Sequence, residues 1–287
     1  MTSSFPKYSI SMLKIGLIFP VYLLLVIAFC ACHPQIAESI RKRDLKKDVE
    51  LMTELGPIVI RLSDETPSHR DNFIRLVNQH QLDSLNFYRV INSFLIQTGK
   101  DLPVEYPTLI DAEFRPGLFH KRGAVNAARE GDETNPTQAS ANLHFTIIQG
   151  KVFTDSALLK AEKRINNWLA YNKVITDPAN AVLFLHLQTF SKEGTNPDSL
   201  QKVQAKLEQL TQRKLERMPH YRIPDDQRKV YKTLGGAPHL DQNYTVFGEV
   251  VKGMEIVDSI ARVKTDENDK PLNDIMILKA RMIKRIE

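Results

Sequence analysis

Residues 86–101 read NFYRVINSFLIQTGKD, and the rest of the chain is organised around them. Phe87, Val90, Ile91, Phe94, Leu95 and Ile96 make the stretch apolar, Asn92-Ser93 divides it, and Thr98-Gly99 closes it. Aromatic and β-branched residues around a polar break predict two short strands, or one strand with a corner. One cation, Arg89, and one neutral amide, Gln97, stand inside the run. On a plain core strand the arginine would only lay its stem along apolar surface and keep its head in water. The alternative is a strand that presents a charged donor and an amide beside apolar side chains.

Upstream, residues 48–63 read DVELMTELGPIVIRLS. Val49, Leu51, Thr53 and Leu55 alternate, Gly56-Pro57 is expected to turn the chain, and Ile58, Ile60 and Leu62 alternate again, which predicts a β-hairpin. Thr66 then supplies an N-cap and Pro67 a first-turn proline. Phe73, Leu76 and Val77 follow at helical spacing, so 66–79 is expected to be an amphipathic helix packed on the hairpin.

Further upstream, residues 15–29, IGLIFPVYLLLVIAF, form an uncharged apolar run behind a short basic segment. The run is short for a transmembrane helix and has the length of a signal-peptide core. It ends in Phe29-Cys30-Ala31-Cys32, which resembles the bacterial lipobox: Cys32, preceded by Ala31, fits the lipidated position, and Cys30, preceded by Phe29, does not. Residues 1–31 are therefore expected to be a lipoprotein signal peptide and Cys32 the lipid attachment site, with an uncleaved anchor as the alternative. Residues 32–47 read as a charged tether, and 48–287 as the folded domain. This organisation implies a cell-envelope protein, lipid-anchored to a bacterial inner or outer membrane with its domain in the periplasm. Cleavage there leaves no second cysteine for a disulfide. The 287 residues carry 39 Lys+Arg against 34 Asp+Glu, and the excess is dispersed rather than massed, which argues against a nucleic-acid surface.

Two later blocks complete a pattern: GAVNAAREGDETNPTQASANLHFTIIQGKVFTD at 123–155 and GGAPHLDQNYTVFGEVVKGMEIVDSIA at 235–261. With TELGPIVIRLSDETPSHRDNF and FYRVINSFLIQTGKD before them, the chain resembles the cyclophilin family of peptidyl-prolyl cis-trans isomerases. The resemblance implies a mainly β fold, a closed eight-stranded antiparallel barrel with a helix over each open end, which would leave no exposed edge. Helix 66–79 would be one cap; Met254, Val257 and Ile260 mark the other, and Ile275 and Ile277 a final strand.

The resemblance also implies roles. The catalytic arginine matches Arg89, and the glutamine that binds the substrate backbone matches Gln97. The apolar pocket for the substrate proline matches Phe94, Leu95 and Leu240. Ala128 and Arg129 fall where the family grips the residue before proline. Other positions depart from the pattern. Tyr88 precedes the arginine where histidine is common. The family's GSQFF segment reads Asn142-Leu143-His144-Phe145-Thr146, so His144 replaces a glutamine and Thr146 the phenylalanine that floors the pocket. His239 stands at a position that is tryptophan in some members, and Tyr244 at one that is often histidine. A threonine floor offers less apolar surface, at roughly 25 cal/mol per Å², so reduced activity is expected.

The chemistry needs no nucleophile, metal or cofactor. Rotation about an X-Pro bond must break amide resonance, a barrier near ~20 kcal/mol. At the twisted geometry the prolyl nitrogen regains a lone pair, to which a guanidinium can donate only in the transition state. The expected function is therefore prolyl isomerisation that assists folding of cell-envelope proteins, with proline-containing polypeptides as partners. A binding module that holds such segments without turning them over is the alternative. The histidines and cysteines show no metal-ligand spacing, no nucleophile motif is visible, and Gly235-Gly236-Ala237-Pro238 lacks the context of a phosphate cradle.

Residues 156–234 exceed what such a core needs. Leu158, Ala161, Ile165, Trp168 and Leu169 fall on one helical face, the apolar run AVLFLHLQTF occupies 181–190, and Leu200, Val203, Leu207 and Leu210 mark another helix. A short helix is expected after Pro224. The stretch is expected to be a helical insertion that buries its own stripes and can be shortened. A client-binding lobe beside the proline groove is the second reading, because Trp168 and the 181–190 run carry more apolar surface than a solvent-facing hairpin requires.

Overall fold

Lys47–Thr53 (β1) and Gly56–Leu62 (β2) form the antiparallel hairpin in the computed structural model, which describes residues 44–101, 109–193 and 197–287. The expected signal peptide, Cys32 and the tether as far as residue 43 lie outside the described residues. Val49 pairs with Ile60 and Leu51 with Ile58, and all four are fully buried. The turn falls on Glu54-Leu55 and not on Gly56-Pro57: Thr53 already pairs with Gly56, its hydroxyl donating to the Gly56 carbonyl (2.7 Å) and accepting from the Leu55 amide (3.2 Å). Gly56 keeps its place for another reason. Its φ is +130°, and a Cβ there would stand 2.7 Å from Ile256 Cδ1.

The hairpin lies inside a nine-stranded sheet. On one side β1 pairs with Met276–Lys284 (β11), and β11 with the two-residue Leu85–Asn86 (β3). On the other side β2 leads to Val246–Lys252 (β10), Ala124–Ala127 (β7) and Phe145–Ile148 (β9). Leu95–Thr98 (β5) and Arg89–Ile91 (β4) complete that side. Leu109–Ile110 (β6) and Ser140–Ala141 (β8) pair separately.

The expected closed eight-stranded barrel is thereby corrected. The sheet is open, with β3 and β4 as edges that have no ladder between them. The two edges are successive pieces of the 85–91 stretch, interrupted at Phe87-Tyr88. Phe87 is 1% exposed and its amide donates to the Ile275 carbonyl (3.0 Å), so the chain up to that point follows β11. Three residues on, Val90 donates to Asp269 (2.8 Å) and its neighbours follow β5. The stretch read as the organising one is thus where the sheet begins and ends. Both edges are two or three residues long, which limits what an unpaired edge can recruit.

Pro67–Asn78 (α1) buries Phe73, Ile74, Leu76 and Val77, with Phe73 edge-on to Phe145 at 5.1 Å. Thr66 precedes α1, but its buried hydroxyl has no partner. The capping carboxylate comes instead from Glu113, which accepts from the amides of Ser68 (3.2 Å) and His69 (3.1 Å) and lies 2.7 Å from His69 Nδ1. Four helices separate β9 from β10: Asp155–Ile175 (α2), Ala181–Glu193 (α3), Pro197–Arg217 (α4) and Asp225–Thr233 (α5). Val174, Ile175, Phe184, Leu187, Val203 and Leu207 give α2, α3 and α4 a small core of their own. The start of α2 and all of α5 belong to the sheet's surroundings. Leu158, Ile223 and Tyr231 pack with Phe119 and Phe153, and Tyr231 donates its hydroxyl to buried Asp241 (2.7 Å). Met254–Ala261 (α6) follows β10 and buries Val257 and Ile260. Among the described residues no helix is long and apolar enough to cross a membrane.

Candidate active site

Four polar side chains form one row across four strands. Arg89 of β4 pairs with Gln97 of β5, Gln97 with Thr146 of β9, and Thr146 with Asn126 of β7. Residues directly opposite one another share a sheet face, and all four line a groove of about 360 Å³. Arg89 Nη1 donates to Gln97 Oε1 (3.3 Å), and Thr146 Oγ1 donates to Asn126 Oδ1. The Arg89 side chain is 41% exposed, and its Nε lies 3.6 Å from the Asp269 carboxylate. Because the Asp269 carbonyl also holds Val90, the same residue fixes the strand and flanks its cation.

The apolar wall faces this row. Leu95 and Leu240 are buried in one cluster with Ala237 and Val246, and Phe94 and Tyr244 pack against it. The His239 ring lies 5.2 Å from Phe94 at a tilt of 34°. Burial, helped by the nearby Arg164 cation, lowers the His239 pKa to about 4, so the imidazole is neutral at pH 7. Ala128 lines the groove while its backbone is engaged within the protein, donating to His144 and accepting from Ala141, both at 2.8 Å. Arg129 is held by the Asn243 carbonyl (2.7 Å) and by Asp132 (2.6 Å), with its guanidinium 5.1 Å from the Tyr244 ring centre.

The groove therefore gathers Arg89, Gln97, Phe94, Leu95, Ala128, Arg129, and with them Thr146, His239, Leu240 and Tyr244. His144 does not line it. Its Nδ1 meets the Tyr88 hydroxyl (3.0 Å) and its Nε2 lies 3.3 Å from Asp101, so the ring is spent on the segment beside β5. Gly99 admits that backbone, since a Cβ at its φ of +145° would stand 2.7 Å from His144 Cα. By the same placement His144 and His239 do not meet over the groove. Among the described residues no cluster of three or more His, Cys, Asp or Glu is arranged to hold a metal.

Sequence reading missed two lining residues, Asn126 and Arg164, and named a third, Trp168, only in the reading of the insertion as a lobe beside the groove. Asn126 needed only the register, since it faces Thr146. Trp168 was placed on the buried stripe of α2, yet Leu158, Ala161 and Ile165 fill that stripe and Trp168 stays half-buried at the groove. Arg164, one turn earlier, lies 4.5 Å over its ring.

The family model for cyclophilin type peptidyl-prolyl cis-trans isomerases matches residues 48–171 and 226–282. The chain belongs to that family. The unmatched interval between those blocks takes in α3, α4 and the end of α2. A protein of Staphylococcus haemolyticus described as a peptidyl-prolyl cis-trans isomerase is 25% identical over 252 residues, covering 85% of this chain and 94% of that relative. A Staphylococcus aureus protein with the same description is 24% identical over 254 residues, covering 86% and 96%. A crystal structure of a Cryptosporidium parvum cyclophilin type isomerase superposes with a TM-score of 0.48 at 15% identity, covering 84% of this chain and 99% of that one.

Proposed function

We propose that the protein is a prolyl isomerase that twists X-Pro bonds of polypeptide clients in the groove, with Arg89 as the transition-state donor. The observation that carries the reading is the Arg89-Gln97 pair, registered across β4 and β5 in the groove that Phe94, Leu95 and Leu240 also line. A proline ring seated on that wall brings its nitrogen toward the guanidinium. In the planar amide that nitrogen has no lone pair to offer; twisted, it accepts a charge-assisted hydrogen bond. The bond exists only at the top of the barrier, so it accelerates rotation rather than tightening ground-state binding. Gln97 restrains Arg89 through its oxygen, and its side chain also hydrogen-bonds Tyr88.

Arg89→Ala should lower turnover by one to three orders of magnitude, about 1.4–4 kcal/mol, with a much smaller loss of affinity. Exchange NMR on a proline peptide reads both quantities. If wild type at saturation produces no exchange between cis and trans peaks, the enzyme reading fails. A second reading, a module that binds proline segments without isomerising them, is favoured by the floor. Thr146 and Asn126 satisfy each other there, where a phenylalanine would give the ring apolar contact. Under that reading the same spectra show binding alone.

We further propose that the domain works at the cell envelope on proteins folding there, held by lipid on Cys32. Radiolabelled fatty acid should label the wild type and not Cys32→Ala. Equal labelling would remove the anchor.

A further inference from the structure

The lining of the groove is cationic, and α2 adds one of its charges. Among its described lining residues are three arginines, Arg89, Arg129 and Arg164, and no carboxylate. Two of the three have acidic neighbours: Arg89 lies 3.6 Å from Asp269, and Arg129 lies 2.6 Å from Asp132. Arg164 has none among the described residues. Its one described contact is the Trp168 face, 4.5 Å away. The i, i+4 spacing on α2 stacks the two side chains, so the ring holds an otherwise free guanidinium at the mouth of the groove while leaving its donors unused. The charge reaches the interior, because Arg164 is the largest charged contributor to the lowering of His239.

We propose that Arg164, presented by Trp168, is a specificity residue that selects clients carrying an acidic side chain, Asp or Glu, close in sequence to the proline. This rests on the reading of the groove as the proline site. An arginine offers a carboxylate two parallel donors, and a pair formed at the edge of an apolar groove is less screened than one in open solvent. Clients with lysine at that place meet Arg164 and Arg129 and are disfavoured.

The test uses the full-length protein and a peptide series with a single Ala-Pro core and Glu, Gln or Lys at each position from three before to three after the proline. Exchange NMR reads affinity and cis/trans exchange for wild type, Arg164→Gln and Arg164→Glu. At one position or more, wild type should bind the Glu peptide about fivefold more tightly than its Gln counterpart, the size of a partly exposed ion pair. The Glu-to-Gln ratio should fall to near one in Arg164→Gln and invert in favour of Lys in Arg164→Glu, and added salt should shrink it in wild type. Equal affinity of wild type for Glu and Gln peptides at every position overturns the proposal, as does a ratio that survives Arg164→Glu. Because affinity is read separately from exchange, a binding preference without turnover would sink the isomerase reading and leave this one standing.

Discussion

Arg89 stands out because it interrupts an apolar run, but a core strand could equally lay an arginine stem along apolar surface, and its role was implied by the family resemblance. Thr146 and His144 show how far such residue-level reading extends. Both were assigned from one five-residue segment, but only Thr146 lies within β9, where its register with Gln97 turns it into the groove. His144 precedes the strand, and its direction is set by Tyr88 and Asp101, partners that no local spacing reveals. His239 carries a prediction at this scale. Its pKa is lowered to about 4, first by burial and then by Arg164, so the neutral ring beside Phe94 persists over the whole physiological range. Turnover should be flat from about pH 5.5 to 8, because His239 stays neutral over that range. It should decline as the pH falls through about 4, where a charged imidazole would enter the apolar wall. A pH-rate profile centred on 6.5 would show that His239 is not buried as described.

Among the elements, α1 was predicted from the spacing of its apolar residues, whereas its cap was not, because Glu113 arrives from 44 residues downstream of His69. Burial alone would raise the Glu113 carboxyl, but hydrogen bonds from His69 and Ser68 outweigh it and hold the pKa below the usual range. Burial also lowers His69, only partly opposed by Glu113, so the pair is a neutral imidazole on a carboxylate. Both folded-state values lie below the unfolded ones of 6.5 and 4.5, so the unfolded chain binds more protons as the pH falls. This stability is complete above pH 6.5 and is lost progressively in acid. Glu113→Ala should cost about 1–3 kcal/mol at pH 7, by leaving two amides and the buried ring unsatisfied, and should flatten the acid side of a plot of Tm against pH. The insertion is likewise divided. Replacing residues 177–218 with a short Gly/Ser linker should leave a cooperative melt, because α3 and α4 bury their stripes mainly against each other and the end of α2. Extending the cut to 158–230 should not, since it removes Leu158, Ile223 and the Glu162 carboxylate that holds the Ile223 amide (2.9 Å) and Arg228 (2.7 Å). Circular dichroism melts of the two deletions separate these outcomes.

For the whole molecule, strand and helix positions followed from periodicity, and the ordering of blocks carried the family. Closure did not follow, because it depends on how two residues, Phe87 and Tyr88, hand the chain from β11 to β5. Phe87→Ala should cost about 3–5 kcal/mol through the cavity it leaves. It should also speed hydrogen exchange at the amides of Phe87 and Val90 ahead of those in the β1–β2 hairpin, and uniform acceleration would mean that the junction is not a separate weak point. The pairing of β1 with β11 has a consequence in time. Lys47 at the start of one strand lies opposite Lys284 at the end of the other, so β1 leaves the ribosome long before its partner β11. Long-range pairing of this kind is slow and cannot proceed in step with synthesis. A nascent chain in which β11 has not yet emerged has no partner for that side of β1.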